Sequence, residues 1–472
     1  MSKKVGVTCT TVFHYIHFKG IVRELELLGF EVDYLIYTPY HINNRVERLQ
    51  AVFEENCIKY QGFEELFQGN LNYDLIMAPY YMPGFQLLDK QIKKVRILYG
   101  YAKDAWNYAE WNKGFDMVLS YGPYATKRLQ KYTKAVEIGH PRFAQQYLKE
   151  VIDINNRVIT EKKLVDKKVL VYCPTWADLS SLETFIGNVD ELTKYYTVIV
   201  KLHHGNVLSG QKNTWLSLKT KENLYLFDEY TNLFDLLQFA DVVLSDYSGA
   251  IFDAMLFRKP IVLLDTIDES IKDTGAINLN RMANISLYNN TEKENESLDI
   301  LVRDFLPHIR NVEDLVLAID KALVSDIPYL HMLETLYAFQ DGEANYRAAL
   351  AIKDQYEETR IVRDNDSSFH ILNEELVYEF LENNADRLKI WGAGLSGQIL
   401  VSWLAGKGYK INKLMDADIE KQDKTFLDYT IVNPEVEKGI IITVTGEGLK
   451  SITKLCIEKG LVEGKDFISI FK

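Results

Sequence analysis

The chain is poor in cysteine, with four in 472 residues, at positions 9, 57, 173 and 456. They are far apart and lack metal-ligand spacing, which excludes a zinc-finger site and a disulfide framework and suits a reducing compartment. No stretch approaches the roughly 18 apolar residues of a membrane span. Lys3 and Lys4 lead at once into a strand pattern, without the apolar run of a signal peptide. Positive charge is also short: 54 Lys and Arg stand against 67 Asp and Glu, a net charge of -13. Bulk attraction to nucleic acid is therefore excluded. No carboxylate cluster has ligand spacing, so nothing demands a metal. The expected setting is the cytoplasm, with peripheral contact at the inner face of a membrane as an option.

What is present is globular. Hydrophobic residues make up 47% of the chain, enough for sizeable cores, and the length suits two or three domains. Strand patterns at 5–8, 32–37, 75–78, 95–98, 117–120 and 136–139 are separated by helical signals such as 18–28, which Gly29 ends. A second block has strands at 169–172, 197–202, 224–227, 242–244 and 261–264. Strands alternating with helices imply parallel sheets covered on both faces. Residues 153–166 read as a linker, 289–296 as a polar loop, 312–323 as a helix and 360–368 as a charged connection.

The most informative stretch runs from Ala240 to Asp265: a buried strand, a polar turn, a helix and a second buried strand. Ser245, Asp246, Ser248 and Gly249 cluster where the chain leaves the first strand and enters the helix. Such an edge is where ligands bind in open α/β sheets, and a helix N-terminus suits phosphate. Asp246 or Ser248 acting only as a helix cap explains the same residues.

The turn resembles the signature of the CDP-glycerol glycerophosphotransferases, the teichoic-acid polymerase family. It stands here as Asp246-Tyr247-Ser248-Gly249, Phe252-Asp253 and Lys259-Pro260, with Gly249 in place of a second Ser. Tyr172-Cys173-Pro174-Thr175-Trp176, Lys201-Leu202-His203-His204 and Gly139-His140-Pro141-Arg142 resemble three further family segments, in the family's order. Asp341-Gly342 is a weaker echo of its closing motif. The resemblance implies a GT-B-like pair of Rossmann-type domains, 1–150 on the acceptor side and 165–350 binding the CDP donor. It implies phosphoryl-group transfer: an acceptor hydroxyl attacks the glycerol-bearing phosphorus and CMP leaves.

That chemistry needs a diphosphate cradle, donors for the leaving charge and a base. The cradle falls to Ser245, Asp246, Ser248 and Gly249, with Asp246 orienting a donor or binding a hydroxyl. Asp253, Thr175, Trp176, Lys201 and Arg142 are further substrate-side candidates. His203 matches the family's essential His. The family's Trp-His-Gly histidine is replaced by Tyr99 in Leu98-Tyr99-Gly100, and a phenol is a poor base at neutral pH. His14 and His17, just after the first strand, are the favoured bases, with His140 outside them. A polar lip on the first helix is their structural alternative.

Two features remain. Lys90, Lys93, Lys94, Arg96 and Lys103 stand beside Tyr80, Tyr81, Phe85, Tyr101 and Trp106, and Lys127, Arg128, Lys131 and Lys134 form a second basic run. They read as an acceptor surface for a glycan or lipid-linked acceptor or an anionic headgroup, or as a solvated helix face over core aromatics. The tail, 385–472, is a small third Rossmann-like domain. Gly392, Gly394 and Gly397 follow a strand, and Asp416 ends the next, the pattern of a dinucleotide fingerprint. A nucleotide there, or helix–strand packing alone, explains these glycines; the transfer itself requires no cofactor. The rivals to the transferase are a GT-B glycosyltransferase using a nucleotide sugar and a non-catalytic nucleotide-binding protein.

Overall fold

The computed structural model describes residues 3–36, 45–82, 84–143, 167–203, 224–227, 231–267, 297–358, 374–444 and 446–470. The stretches read above as 153–166, 289–296 and 360–368, and His204, lie outside them. The first block forms β1 (Lys3–Cys9), β2 (Phe30–Ile36), β3 (Tyr60–Gly62), β4 (Leu75–Ala78), β5 (Lys93–Ile97), β6 (Met117–Ser120) and β7 (Lys134–Glu137). They pair in parallel in the order β3-β2-β1-β4-β5-β6-β7. β4, β5 and β6 are buried along their whole length, as strands covered on both faces must be.

The second block forms β8 (Val169–Cys173), β9 (Thr197–Lys201), β10 (Leu224–Phe227), β11 (Val242–Ser245), β12 (Ile261–Leu264) and β13 (His308–Ile309). Their order is β10-β9-β8-β11-β12-β13, again parallel. Both orders reverse direction at one point, between β1 and β4 and between β8 and β11. These switch points are where α/β sheets bind ligands. The two sheets form a GT-B-like pair of Rossmann-type domains.

After the second sheet the chain returns to the first. The helix Ala344–Glu357 packs on the helix Val12–Leu27, where Ala348, Ala349 and Ile352 share a core with Ile21 and Leu25. A Cβ on Gly20 would lie 2.2 Å from Asn345 Nδ2, so the two helices touch closely there. Lys93 Nζ donates to the carbonyl of Gln355 at 2.8 Å, and to those of Tyr356 and Glu358. It thereby caps the C-terminal end of the returning helix.

The tail has its own sheet: β14 (Lys389–Trp391), β15 (Lys413–Met415), β16 (Thr425–Phe426), β17 (Tyr429–Val432), β18 (Ile440–Ile442) and β19 (Phe467–Ser469). The order is β16-β17-β15-β14-β18-β19, with the β16–β17 pair antiparallel. The tail does not stand apart from the first domain. Its helix Leu395–Gly406 packs on the helix Phe63–Phe67, and Ile399, Leu400 and Trp403 join Phe63 and Phe67 in one core. A Cβ at Gly406 would lie 2.5 Å from the Phe67 carbonyl oxygen, so a glycine permits this approach. Burial of each large apolar side chain contributes roughly 1.5–3 kcal/mol.

One boundary differs in a way that matters for function. The first helix begins at Val12 rather than at 18, with Thr11 as its cap accepting from the His14 N–H at 3.4 Å. Residues 12–17 are therefore helical, and the loop after β1 is short.

Candidate functional site

One cleft lies between the first two sheets, at the C-terminal ends of their strands. Phe13, Tyr99, Lys103 and Arg142 line it from the first domain, and Trp176, Lys201, His203, Asn232, Ser248, Gly249 and Asp253 from the second. β8 and β11 are in register with Cys173 opposite Ser245, so both strands end level at the cleft. The Ser245 hydroxyl donates to the Cys173 carbonyl at 2.9 Å and ties the two ends together.

The polar turn is layered. Ser245 and Asp246 are both fully buried and lie beneath the cleft lining. Asp246 accepts from the Thr175 N–H, the Ser181 N–H and the Ser181 hydroxyl, each at 2.8 Å. Burial still pushes its carboxyl up to about 6 against those hydrogen bonds. Asp246 thus holds the loop after β8 in place, and Thr175, itself fully buried, belongs to the same layer. Ser245 and Thr175 support the cleft rather than face it, a correction to their expected direct contact with substrate, while Asp246 orients donors, one of the two roles the sequence left open to it. The reason is the strand's alternation and the inward pull of a carboxylate that three protein donors satisfy.

Ser248 and Gly249 do reach the cleft. Ser248 Oγ accepts from the Ala250 N–H at 3.2 Å, which leaves its own proton free to donate. Gly249 opens the helix Ala250–Leu256 with an ordinary φ of -58. A Cβ there would lie 3.1 Å from the Tyr101 carbonyl oxygen. The small residue therefore admits the loop of the first domain.

Asp253 binds that domain directly. It accepts from Arg142 Nη2 at 2.8 Å, and His140 Nε2 lies 3.3 Å from its other oxygen. Burial raises the Asp253 carboxyl, but Arg142 and His140 outweigh it and hold the group below the usual carboxylate range. The Arg142 N–H donates to His140 Nδ1 at 3.2 Å, so the neutral ring carries its proton on Nε2, facing the carboxylate. Burial lowers His140 to about 4. Arg142 lies over the rings of Phe13 and Phe234, at 5.0 and 4.3 Å.

Asn232 was missed in the sequence. Its Oδ1 caps the helix Leu233–Leu237 by accepting from the Phe234 N–H at 3.2 Å, and faces Arg142 Nη1 at 3.4 Å. Its Nδ2 and Arg142 Nε are buried donors with no partner among the described residues. The Asn232-Leu233 pair, a capping residue before an apolar run, was the legible signal.

On the donor side, His203 follows β9 and its ring lies nearly parallel to Trp176, 11° between planes and 6.2 Å between centroids. Lys201 lines the cleft as well, its Nζ donating to the Leu202 carbonyl at 3.1 Å. Burial pushes the Cys173 thiol up to about 12, so it is not a nucleophile at neutral pH.

The favoured bases are not on the cleft lining. His14 and His17 sit inside the first helix, 4% and 1% exposed, behind Phe13 and Tyr99. His14 Nδ1 accepts from the Thr10 N–H at 3.3 Å. His17 Nε2 donates to the Leu98 carbonyl at 2.9 Å. Burial, then Arg142 and His140, lower His17 well below the ordinary imidazole value. The expectation of a cleft-facing loop fails because Thr11 starts the helix early and turns both rings into the core. Tyr99 does line the cleft, and its ring meets His14 edge-on at 5.5 Å.

Most of the first basic run is internal. Arg96 is fully buried over Trp111 and donates to the Pro79 and Asn107 carbonyls and to Asn107 and Asn112 Oδ1. Lys93 and Lys94 are buried, as are Tyr81, Phe85, Tyr101 and Trp106. Lys93, Lys94 and Arg96 form no acceptor surface, because β5 is a central strand with both faces covered, whereas Tyr101 and Trp106 line the cleft. Lys90, Lys127 and Lys131 are exposed, while Arg128 lies 3.6 Å from the Tyr124 ring centroid and Lys134 pairs with Glu358 at 2.6 Å.

In the tail, Gly392 has a φ of 118, and a Cβ on Gly397 would lie 1.7 Å from the Gly392 carbonyl oxygen. Close packing therefore fixes both glycines. Asp416 accepts from the Ala393 N–H at 2.8 Å, the Asp418 N–H at 2.9 Å and Lys421 at 3.1 Å. Protein donors thus engage the acid of the fingerprint. Gly394, before the helix, meets nothing within 4 Å of an added Cβ.

Among the described residues, no group of three or more His, Cys, Asp or Glu is placed to hold a metal ion. No helix among them is long and apolar enough to cross a membrane.

Residues 102–268 match the family described as CDP-Glycerol:Poly(glycerophosphate) glycerophosphotransferase. The teichoic acid poly(glycerol phosphate) polymerase of Bacillus spizizenii is 25% identical over 177 residues, 33% of this chain and 42% of that protein. The teichoic acid glycerol-phosphate transferase of Staphylococcus aureus is 24% identical over 163 residues, 31% of this chain and 40% of that protein. The match thus spans about two fifths of these relatives, which are enzymes. A structure of the wall teichoic acid polymerase TagF is 15% identical, covering 75% of this chain and 89% of that one, with a TM-score of 0.49. The S. aureus MnaA–UDP structure is likewise 15% identical, covering 75% and 97%, with a TM-score of 0.48. The family resemblance of the four motifs is borne out over the segment that holds the turn, Lys201, His203 and Asp253.

Proposed function

We propose that this cleft transfers a polyol-phosphate unit, glycerol- or ribitol-phosphate, from a CDP-activated donor to a cell-surface glycan or lipid-linked acceptor, releasing CMP. The observation that carries the reading is the gathering of Lys103, Lys201, Arg142 and His203 around Ser248 and Gly249 at the second sheet's switch point. Among the described residues lining the cleft, Asp253 is the one carboxylate, and Arg142 neutralises it. Lys201, on the donor side, suits a diphosphate.

Each group has a role its environment allows. The Ser248 hydroxyl donates to a phosphate oxygen. Lys201 stabilises charge that develops as CMP leaves. His203 donates to the leaving phosphate, its ring set against Trp176. Asp253 holds Arg142 in place. The acceptor approaches from the first domain, past Phe13 and Tyr99.

Tyr99, where the family's histidine is expected, favours one second reading: a nucleotide-sugar glycosyltransferase on the same fold. Mass analysis of the product separates the two. One added polyol-phosphate per CMP released supports the proposal; added sugar without phosphate refutes it.

A further inference from the structure

We propose that Lys103 is the proton acceptor for the attacking hydroxyl; this inference rests on the transferase reading. With His14 and His17 behind the lining, the titratable groups among the described residues of the cleft are Tyr99, Tyr101, Lys103, Arg142, Cys173, Lys201, His203 and Asp253. Burial pushes the Tyr101 phenol and the Cys173 thiol up, and Arg142 is paired with Asp253. Asp253 is committed to Arg142 and is held below its ordinary range, which makes it a weak base. A phenol such as Tyr99 ionises too high. Lys201 and His203 lie on the donor side, at the end of β9 and just after it, where the leaving group is stabilised. Lys103 comes from the acceptor-side domain and faces Ser248 and Gly249 across the cleft.

The backbone at Lys103 is held in an uncommon shape. Ala102 and Lys103 have φ values of 80 and 58, two consecutive non-glycine residues in the left-handed region. Such residues cost roughly 1–3 kcal/mol each and persist where their surroundings over-determine them. Three contacts do so here. Asn107 Nδ2 donates to the Ala102 carbonyl at 2.7 Å, the Lys103 N–H donates to Asp299 Oδ1 at 3.3 Å, and the Tyr101 hydroxyl donates to the Leu336 carbonyl. The strained pair brings the amine to the cleft beside the turn of the second domain.

The amine itself is unspent: the described residues offer its Nζ no hydrogen bond and no ion pair. The charged groups that act on it are Asp299, on the helix Leu298–Leu301, and Asp246, beneath the turn. Asp246 is saturated by Thr175 and Ser181. Burial lowers the Lys103 pKa, while Asp299 and then Asp246 oppose the shift. A lysine so placed holds its proton less tightly than an exposed one.

The step balances. The acceptor hydroxyl gives its proton to the Nζ lone pair as its oxygen bonds to the polyol-bearing phosphorus. The bond from that phosphorus to the bridging oxygen breaks, and its electron pair leaves with CMP. The ammonium formed then sits beside the departing phosphate, where its charge is favourable.

Lys103→Arg keeps a cation but cannot accept a proton at neutral pH. It is expected to bind CDP-glycerol in titration calorimetry as the wild type does. Its kcat for acceptor-dependent CMP release should fall about 10²–10⁴-fold. Lys103→Ala should lose activity too, and ethylamine should restore part of it in proportion to its free-base form. A Lys103→Arg enzyme with unchanged kcat, or a Lys103→Ala enzyme that no amine rescues, overturns the assignment. Absence of CMP release by the wild type overturns the transferase reading instead.

Discussion

Arg142 and Asp253 meet at 2.8 Å across the domain boundary, the arginine following the last strand of the first sheet and the aspartate inside the helix after β11. Both side chains are nearly sealed from water, at 2% and 10% exposed. Removing one partner leaves an uncompensated buried charge. Asp253→Ala should therefore lose about 3–5 kcal/mol in urea unfolding, well above the effect of an exposed pair. An Arg142→Met, Asp253→Leu double variant should recover part of that stability yet remain inactive, since the cation has gone from the cleft.

His17 and His203 should separate stability from activity. His17 is buried against the Leu98 carbonyl, so His17→Ala should lower the melting temperature and leave kcat and KM per folded molecule near wild type. His203→Ala should do the reverse: a melting temperature within a few degrees, and a kcat lower by about 10²–10⁴-fold. Thermal melts and steady-state kinetics on both variants check this.

A pH dependence follows from Asp104. Its carboxyl is 13% exposed, accepts from the Tyr124 hydroxyl at 2.5 Å and the Leu298 N–H at 3.3 Å, and burial raises it from 3.8 to about 7. A carboxyl raised on folding contributes stability that is fully present below its unfolded value. That stability is lost as pH rises through the folded value. Asp104→Asn should thus match the wild type near pH 4 and become the more stable protein as pH rises to about 7. Urea midpoints at several pH values in that window report the crossing.

The tail offers a paired test. An alanine at 397 would set a Cβ 1.7 Å from the Gly392 carbonyl oxygen, while one at 394 meets nothing within 4 Å. Gly397→Ala should destabilise the third domain, and through its shared core with Phe63 and Phe67 the first domain as well. Gly394→Ala should lie within about 0.5 kcal/mol of wild type. Hydrogen exchange of β14 and β18 distinguishes the two.

The central strands were legible because they are buried on both faces and read as short apolar runs; β4, β6 and β12 match their expected bounds, as does the edge strand β10. β3, Tyr-Gln-Gly, and β13, His-Ile, escaped because edge strands are short and need no apolar run. At the site, motif spacing located Arg142, Trp176, Lys201, His203, Ser248, Gly249 and Asp253 on one cleft. Spacing did not separate lining from support. Ser245 and Asp246 differ from Ser248 only in which way the turn points them. His14 and His17 look like polar loop residues, and only the Thr11 cap shows that they enter a buried helix face. Lys93 and Arg96 look like a basic surface, because the carbonyls that satisfy them come from residues far along the chain or folded back over the strand.

Release of CMP from CDP-glycerol and CDP-ribitol, with and without a lipid-linked or oligomeric acceptor, tests the transferase most directly. The expected result is CMP from at least one donor only when acceptor is present, with matching gain of phosphate in the acceptor. A folded protein that releases no CMP from either donor, yet transfers sugar from a UDP-sugar, would contradict it.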